Sequence, residues 1–98
     1  MPESPQLDLD QIRLGIDDVD RRLIALLAER AALVEQVVHY KRAHHMAVVD
    51  RAREDRMLAR IGDLAKDEGV DPRVAQQVLR TIIDGFTLLE VEELGPDA

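Results

Sequence analysis

The feature that most constrains the fold is an apolar stripe of helical period that runs along the first part of the chain. Its members recur at steps of three and four, the period of an α-helix, with one double step of seven from Leu26 to Leu33. They are Ile12, Ile16, Val19, Leu23, Leu26, Leu33 and Val37. A helix from Ile12 to Lys41 would be about 45 Å long, more than the width of a small globular monomer. We therefore expect its far half to pack against a second copy of the chain in a homodimer.

Two shorter helices are predicted after a break at residues 44–49. Asp50 is placed to cap a second helix that ends near Lys66. The segment 68–72 contains a glycine for a helix end, a capping aspartate and a proline, so a third helix should follow and end near Glu92. The prediction is an all-α, three-helix chain with one domain over residues 1–98, an ordered core at about 8–92, and flexible tails at 1–7 and 94–98.

Composition supports this fold class and narrows the function. Hydrophobic residues make up 46% of the chain, but there is only one Phe and one Tyr, which favours an aliphatic helical core over a β-sandwich. The net charge of -7 argues against nucleic acid as a partner. Cysteine is absent, and neither a signal peptide nor a long apolar run is visible, so we expect a cytoplasmic protein without a membrane partner.

Charged residues occupy positions on the predicted apolar faces, where an unpaired charge would be costly. Arg30 and Lys41 fall on the stripe of the first helix, and Glu90 follows Ile83 and Phe86 on one face of the third. The second helix contributes charges at its start, namely Asp50, Arg53 and Glu54. Structural salt bridges and side chains that extend to solvent could explain any one of them. Convergence from three helices instead indicates a pocket for a small dianion.

Other kinds of site find little support in the sequence. His39, His44 and His45 lack a further ligand at metal-site spacing, so we expect surface histidines and no metal. The single serine, Ser4, and the lack of a glycine-rich loop argue against a nucleophile elbow and a phosphate loop. The chemistry is therefore expected to need no bound cofactor.

The chain resembles the all-helical (type II, AroQ-class) chorismate mutases from about residue 8 to residue 92. The resemblance joins motifs of all three helices, and its specificity comes from their combination. The matching residues are Ile12-Arg13, Ile16-Asp17, Asp20, Leu26-Leu27-Ala28-Glu29-Arg30, Val37, Tyr40-Lys41, Val49-Asp50, Arg53-Glu54 and Ile82-Ile83-Asp84.

The resemblance implies an intertwined homodimer with two shared sites that rearrange chorismate to prephenate, in aromatic amino acid or related secondary metabolism. Arg13 stands at the position that the neighbouring subunit supplies. Arg30 resembles the cation that grips one substrate carboxylate, and Lys41 the cation shared between the other carboxylate and the ether oxygen. Arg53 resembles a further cation near the carboxylates.

The remaining site positions also follow from the resemblance. Asp50 and Glu54 match the positions that receive the C4 hydroxyl, while Val37 and Ile83 would line the apolar wall around the ring. The rearrangement is unimolecular, so the site has to hold the reactive conformer and stabilise charge on the breaking ether oxygen.

Two positions depart from the bacterial pattern of the family. Glu90 replaces a glutamine that donates to the ether oxygen, and a glutamate can donate only when it is protonated. Phe86 replaces a small hydroxyl residue that helps hold a carboxylate. These departures leave the preferred substrate open.

Three other functions stay open on the sequence. Asp50 and Glu54 would accept an ammonium at C4 as well as a hydroxyl, so 4-amino-4-deoxychorismate mutase is the nearest alternative. Isochorismate-pyruvate lyase fits less well, because the loop before Arg53 resembles that of mutases. A non-catalytic dimerisation or regulatory module would leave the matching charged positions unexplained.

Overall fold

The computed structural model describes residues 8–47 and 49–94, and these residues form three α-helices. They are α1 at Leu9–Ala43, α2 at Arg51–Asp67 and α3 at Pro72–Leu94. The all-α prediction is confirmed, and each helix extends one or two residues beyond its predicted end. The predicted flexible tails lie outside the described residues, except for residue 94, which closes α3. Nowhere in the described segments is a helix long and apolar enough to cross a membrane.

Side-chain caps fix where the helices begin. At the start of α1, Asp8 Oδ1 accepts from the Gln11 amide at 2.8 Å and Gln11 Oε1 accepts from the Asp8 amide at 3.2 Å, a reciprocal capping box. Asp50 caps α2 as predicted, because its Oδ1 accepts from the Arg53 amide at 3.0 Å. Asp71 holds the start of α3 in a similar way, with its Oδ1 accepting from the Arg73 amide at 2.9 Å.

The first two helices end in the same hydrogen-bonding pattern. At the end of α2, the Val70 amide donates to the Ala65 carbonyl at 2.8 Å, and Gly69 adopts the left-handed conformation with φ 74°. At the end of α1, the Met46 amide donates to the Lys41 carbonyl at 2.8 Å, and the left-handed residue is His45 with φ 53°. The break that the sequence predicts at residues 44–49 therefore begins with a helix cap.

The chain divides into two compact units, and the boundary falls within α1 between Leu33 and Val34. In the first unit α1 is solvated on most sides, and its apolar stripe is exposed. In the second unit α2 packs against α3. Its buried apolar side chains are Val38, Ala65, Leu79 and Ile83.

A close approach in the second unit explains one glycine. Gly62 of α2 is buried, and a Cβ at this position would meet the Gln76 Nε2 of α3 at 2.7 Å. Gln76 Nε2 also donates to the Leu58 carbonyl at 3.1 Å, so the side chain ties α3 to the backbone of α2. A glycine at residue 62 makes room for this bond.

Candidate active site

Lys41 and Glu90 are brought together in the second unit. Lys41 lies in the last turn of α1, Glu90 lies near the end of α3, and both residues are half-buried. Burial raises the pKa of the Glu90 carboxyl, and the charge of Lys41 opposes that rise in part. Glu90 therefore keeps its proton to a higher pH than an ordinary glutamate, and a protonated carboxyl can donate a hydrogen bond.

The inward face of these last turns of α1 is set by residues at helical spacing. Val38 is 6% exposed, and Val34 and Lys41 are half-buried. Val37, predicted to line the apolar wall, is 48% exposed in this chain. Lys41 thus lies on the inward side of α1 together with Val38. The stripe predicted from the sequence contains the neighbouring residue, Val37, instead of Val38.

Glu54 occupies the most enclosed position of any described charged residue. It is 8% exposed, and its Oε1 accepts from the Arg80 Nη1 of α3 at 2.8 Å. The same nitrogen donates to Asp84 Oδ1 at 3.2 Å, one turn further along α3. The two carboxylates raise the pKa of Arg80, Asp84 more than Glu54. The buried carboxylate is thereby paired with a cation, as a charge in such a place must be.

Asp50 is the residue that caps α2, Arg53 lies in the first turn of α2, and both are exposed. The Asp50 side chain is engaged with the Arg53 amide, which gives this aspartate a structural task at the helix start. A hydrogen bond from Asp50 to a substrate would therefore come more readily from its backbone than from its carboxylate.

The predicted apolar residues of α3 lie on one side of the helix with Glu90. Ile83 is 6% exposed and Phe86 is half-buried. Spacings of three and four residues place Ile83, Phe86 and Glu90 on a common face. The Glu90 carboxyl thus follows two apolar side chains along α3, consistent with the burial that raises its pKa.

Arg13 and Arg30 belong to the first unit. Arg13 is exposed, whereas Arg30 is half-buried. At 1.5 Å per residue the two arginines are separated by about 25 Å along the axis of α1. Such a distance exceeds the size of a small dicarboxylate, so these two cations of one chain cannot hold the same molecule.

Sequence reasoning missed Arg80, Val38 and Gln76. The spacing of Arg80 and Asp84 could have indicated an ion pair within α3, since side chains four residues apart are neighbours on a helix. The pairing of Arg80 with Glu54 joins residues 26 positions apart and leaves no periodic signal. The three histidines predicted to lie on the surface, His39, His44 and His45, are exposed.

Fold and side chains together define an all-α protein whose charged groups suit a small carboxylate molecule, with a cation and a proton-holding carboxyl side by side. The family model of type II chorismate mutases matches residues 12–91, and the chain belongs to this family. It is therefore an enzyme of the isomerase class.

Curated relatives agree with this assignment. A chorismate mutase of Methanocaldococcus jannaschii is 29% identical over 86 residues, which cover 88% of this chain and 87% of the relative. A bifunctional chorismate mutase/prephenate dehydratase of Enterobacter agglomerans is 32% identical over 91% of this chain and 22% of its own length. The T-protein of the same organism is 36% identical over 78% of this chain. This chain matches only 20% of the T-protein's length.

Proposed function

We propose that this protein rearranges chorismate to prephenate in the cytoplasm, without a metal or cofactor, at sites shared between two copies of the chain. The observation that carries the proposal is the family match over residues 12–91, which includes every proposed site residue. The half-buried pair of Lys41 and Glu90 supports the proposed chemistry, because both side chains can donate hydrogen bonds when Glu90 is protonated.

The reaction needs a fixed substrate conformation and stabilisation of a developing charge. Arg30 binds one carboxylate, and Lys41 binds the other carboxylate and the ether oxygen, where negative charge grows as the bond breaks. Protonated Glu90 donates a second hydrogen bond to that oxygen. Arg53 and Arg13 complete the cationic surroundings, and Arg13 comes from the second copy.

The remaining residues shape the ring side of the site. Ile83, Val37 and Phe86 enclose the ring, which restricts the substrate to a compact conformer. Glu54 and the backbone of Asp50 receive the substituent at C4. No group has to accept an electron pair from the substrate, since the rearrangement occurs within one molecule.

Two observations support the homodimer. The apolar stripe of α1 is between 45% and 61% exposed in the chain, an arrangement that a second copy would cover. The axial separation of Arg13 and Arg30 requires that one of them come from another chain if both contact one substrate. We expect analytical ultracentrifugation to give a dimer at micromolar concentration. An active, fully helical monomer would contradict a shared site.

The most direct test offers the purified protein chorismate, 4-amino-4-deoxychorismate and isochorismate in separate reactions, with products identified by mass spectrometry and NMR. We expect prephenate from chorismate as the fastest reaction. Faster turnover of 4-amino-4-deoxychorismate would identify it, and not chorismate, as the substrate. Such a result is chemically reasonable because a carboxylate such as that of Glu54 can also bind an ammonium group. Release of pyruvate from isochorismate alone would indicate a lyase.

A further inference from the structure

Glu54 and Arg80 form an ion pair across the α2–α3 interface that the residue roles above do not use. Glu54 Oε1 and Arg80 Nη1 are 2.8 Å apart. The Glu54 side chain is 10% exposed and that of Arg80 is 31% exposed, so water screens the pair less than it screens the surface ion pairs. By comparison, the ion pair of Arg73 with Asp71 at the start of the same helix has side chains 89% and 43% exposed.

Arg80 has a second partner in Asp84, but the two carboxylates are in different surroundings. The Asp84 side chain is 60% exposed, so water solvates its carboxylate and Asp84 does not depend on Arg80 for a balancing charge. Glu54 relies on Arg80 for its balancing charge, since burial leaves it little water. The enclosed part of this cluster is therefore close to electrically neutral.

We propose that Arg80 determines which substituent the site accepts at C4, by holding Glu54 as a charge-balanced hydrogen-bond acceptor that prefers a hydroxyl to an ammonium. This inference rests on the proposed function, in which Glu54 receives the C4 group. Arg80 is a positioning residue in this scheme, because it acts on the substrate through Glu54.

The preference follows from simple electrostatics. A hydroxyl needs one acceptor oxygen and carries no charge, so it can donate a hydrogen bond to Glu54 Oε2 while Arg80 donates to Oε1. An ammonium is attracted to the negative charge of a carboxylate, and a guanidinium paired with that carboxylate cancels most of the attraction. The guanidinium also repels the ammonium directly. Arg80 thus weakens binding of the amino substrate and leaves binding of the hydroxyl intact.

The test compares kcat/KM for chorismate and for 4-amino-4-deoxychorismate in the wild type and in Arg80→Gln. We expect the ratio of chorismate to amino substrate to fall at least tenfold in the variant. Arg80→Lys keeps the charge and should keep the ratio within about threefold of the wild type. Arg73→Gln is the matched control, because it removes another arginine of α3 from a carboxylate outside the site and should leave the ratio unchanged.

Asp84→Asn provides a second measurement that does not depend on the folding of Arg80→Gln. Removal of this competing carboxylate makes the surroundings of Glu54 more positive, so the ratio should shift further toward chorismate. If kcat/KM changes by the same factor for both substrates in Arg80→Gln, the inference is overturned. If Arg80→Gln does not fold, an unshifted ratio in Asp84→Asn overturns it. A wild type inactive on both substrates would overturn the proposed function itself, whereas an active wild type with unshifted ratios overturns only the role of Arg80.

Discussion

Lys41 and Glu90 form an electrostatic pair in which burial and charge act in opposite directions on one carboxyl. Burial raises the pKa of Glu90 and Lys41 lowers it, and burial has the larger effect. The result is a carboxyl that remains protonated above the pH at which an ordinary glutamate ionises. In the proposed site, that proton is what allows Glu90 to donate to the ether oxygen.

We expect activity to fall as pH rises through the raised pKa of Glu90. The protonated donor is fully present below the ordinary pKa of a glutamate and is lost above the folded-state pKa. Glu90→Gln supplies a permanent donor of the same shape, so its profile of kcat against pH should be flatter on the alkaline side. An identical alkaline slope in both proteins would remove Glu90 from the reaction.

The raised pKa of Glu90 also makes the stability of the fold depend on pH, and stability falls as pH rises, as activity does. Because burial favours the protonated form, the contribution of Glu90 to stability is complete below the ordinary pKa and is lost as pH rises through the folded-state pKa. Glu90→Gln should therefore gain stability relative to the wild type at alkaline pH, measured as the midpoint of urea unfolding. A gain of equal size at acidic pH would point to a cause other than titration.

Gly62→Ala should destabilise the packing of α2 on α3. Its Cβ would meet Gln76 Nε2 at 2.7 Å, so the amide has to move and gives up its bond to the Leu58 carbonyl. Loss of this bond costs about 0.5–1.5 kcal/mol in the free energy of unfolding, and the higher helix propensity of alanine offsets part of that cost. Gly85→Ala is the control, because a Cβ at residue 85 would have nothing within 4 Å, and it should add about 1 kcal/mol of helix propensity. Equal effects of the two substitutions would argue against the close approach.

The helix boundaries and the site are predictable from the sequence to different degrees. Asp50, Gly69 and Pro72 indicate their caps within a few residues, and the structure places the ends of α2 and α3 there. The start of α1 lies three residues before the predicted one, because Asp8 and Gln11 form a capping box that the apolar stripe does not reveal. Local rules suffice for such features, since every interaction lies within one helical turn.

Pairings between helices are beyond sequence reasoning. The spacing of Glu54, Lys41 and Glu90 on apolar faces indicates that charge is enclosed, but not which group balances which. Arg80 balances Glu54 from 26 positions away, and the choice depends on the rotation of α3 against α2. The apolar period of a helix locates its buried face only to within about one residue. It therefore cannot distinguish the exposed Val37 from the buried Val38.

Asp50→Ala should lower the free energy of unfolding by about 1 kcal/mol, the usual cost of losing a helix N-cap. Asp50→Asn keeps an oxygen that can accept from the Arg53 amide, so its stability should stay close to that of the wild type. Urea unfolding followed by circular dichroism compares the three proteins. Equal losses in both variants would show that the negative charge of Asp50, and not its cap, stabilises the chain.

Subunit mixing tests whether one site draws on two chains. Arg13→Ala and Arg30→Ala should each be nearly inactive, but a heterodimer of the two contains one site with both arginines intact. We expect activity to return toward a fraction of the wild-type value after the two variants are unfolded and refolded together. Differently tagged chains report exchange, and exchanged heterodimers without activity would contradict the shared site.

The rate at which the wild type and Lys41→Ala convert chorismate to prephenate is the decisive measurement for the proposed chemistry. Lys41 stabilises the breaking ether oxygen in the proposed site, so its loss should lower kcat at least about 100-fold while the circular dichroism spectrum and the dimer persist. The wild type, dialysed against a metal chelator, should form prephenate as its only product. Prephenate formation no faster than the spontaneous rearrangement in the wild type, or an undiminished rate in folded Lys41→Ala, would contradict a mutase that works through Lys41.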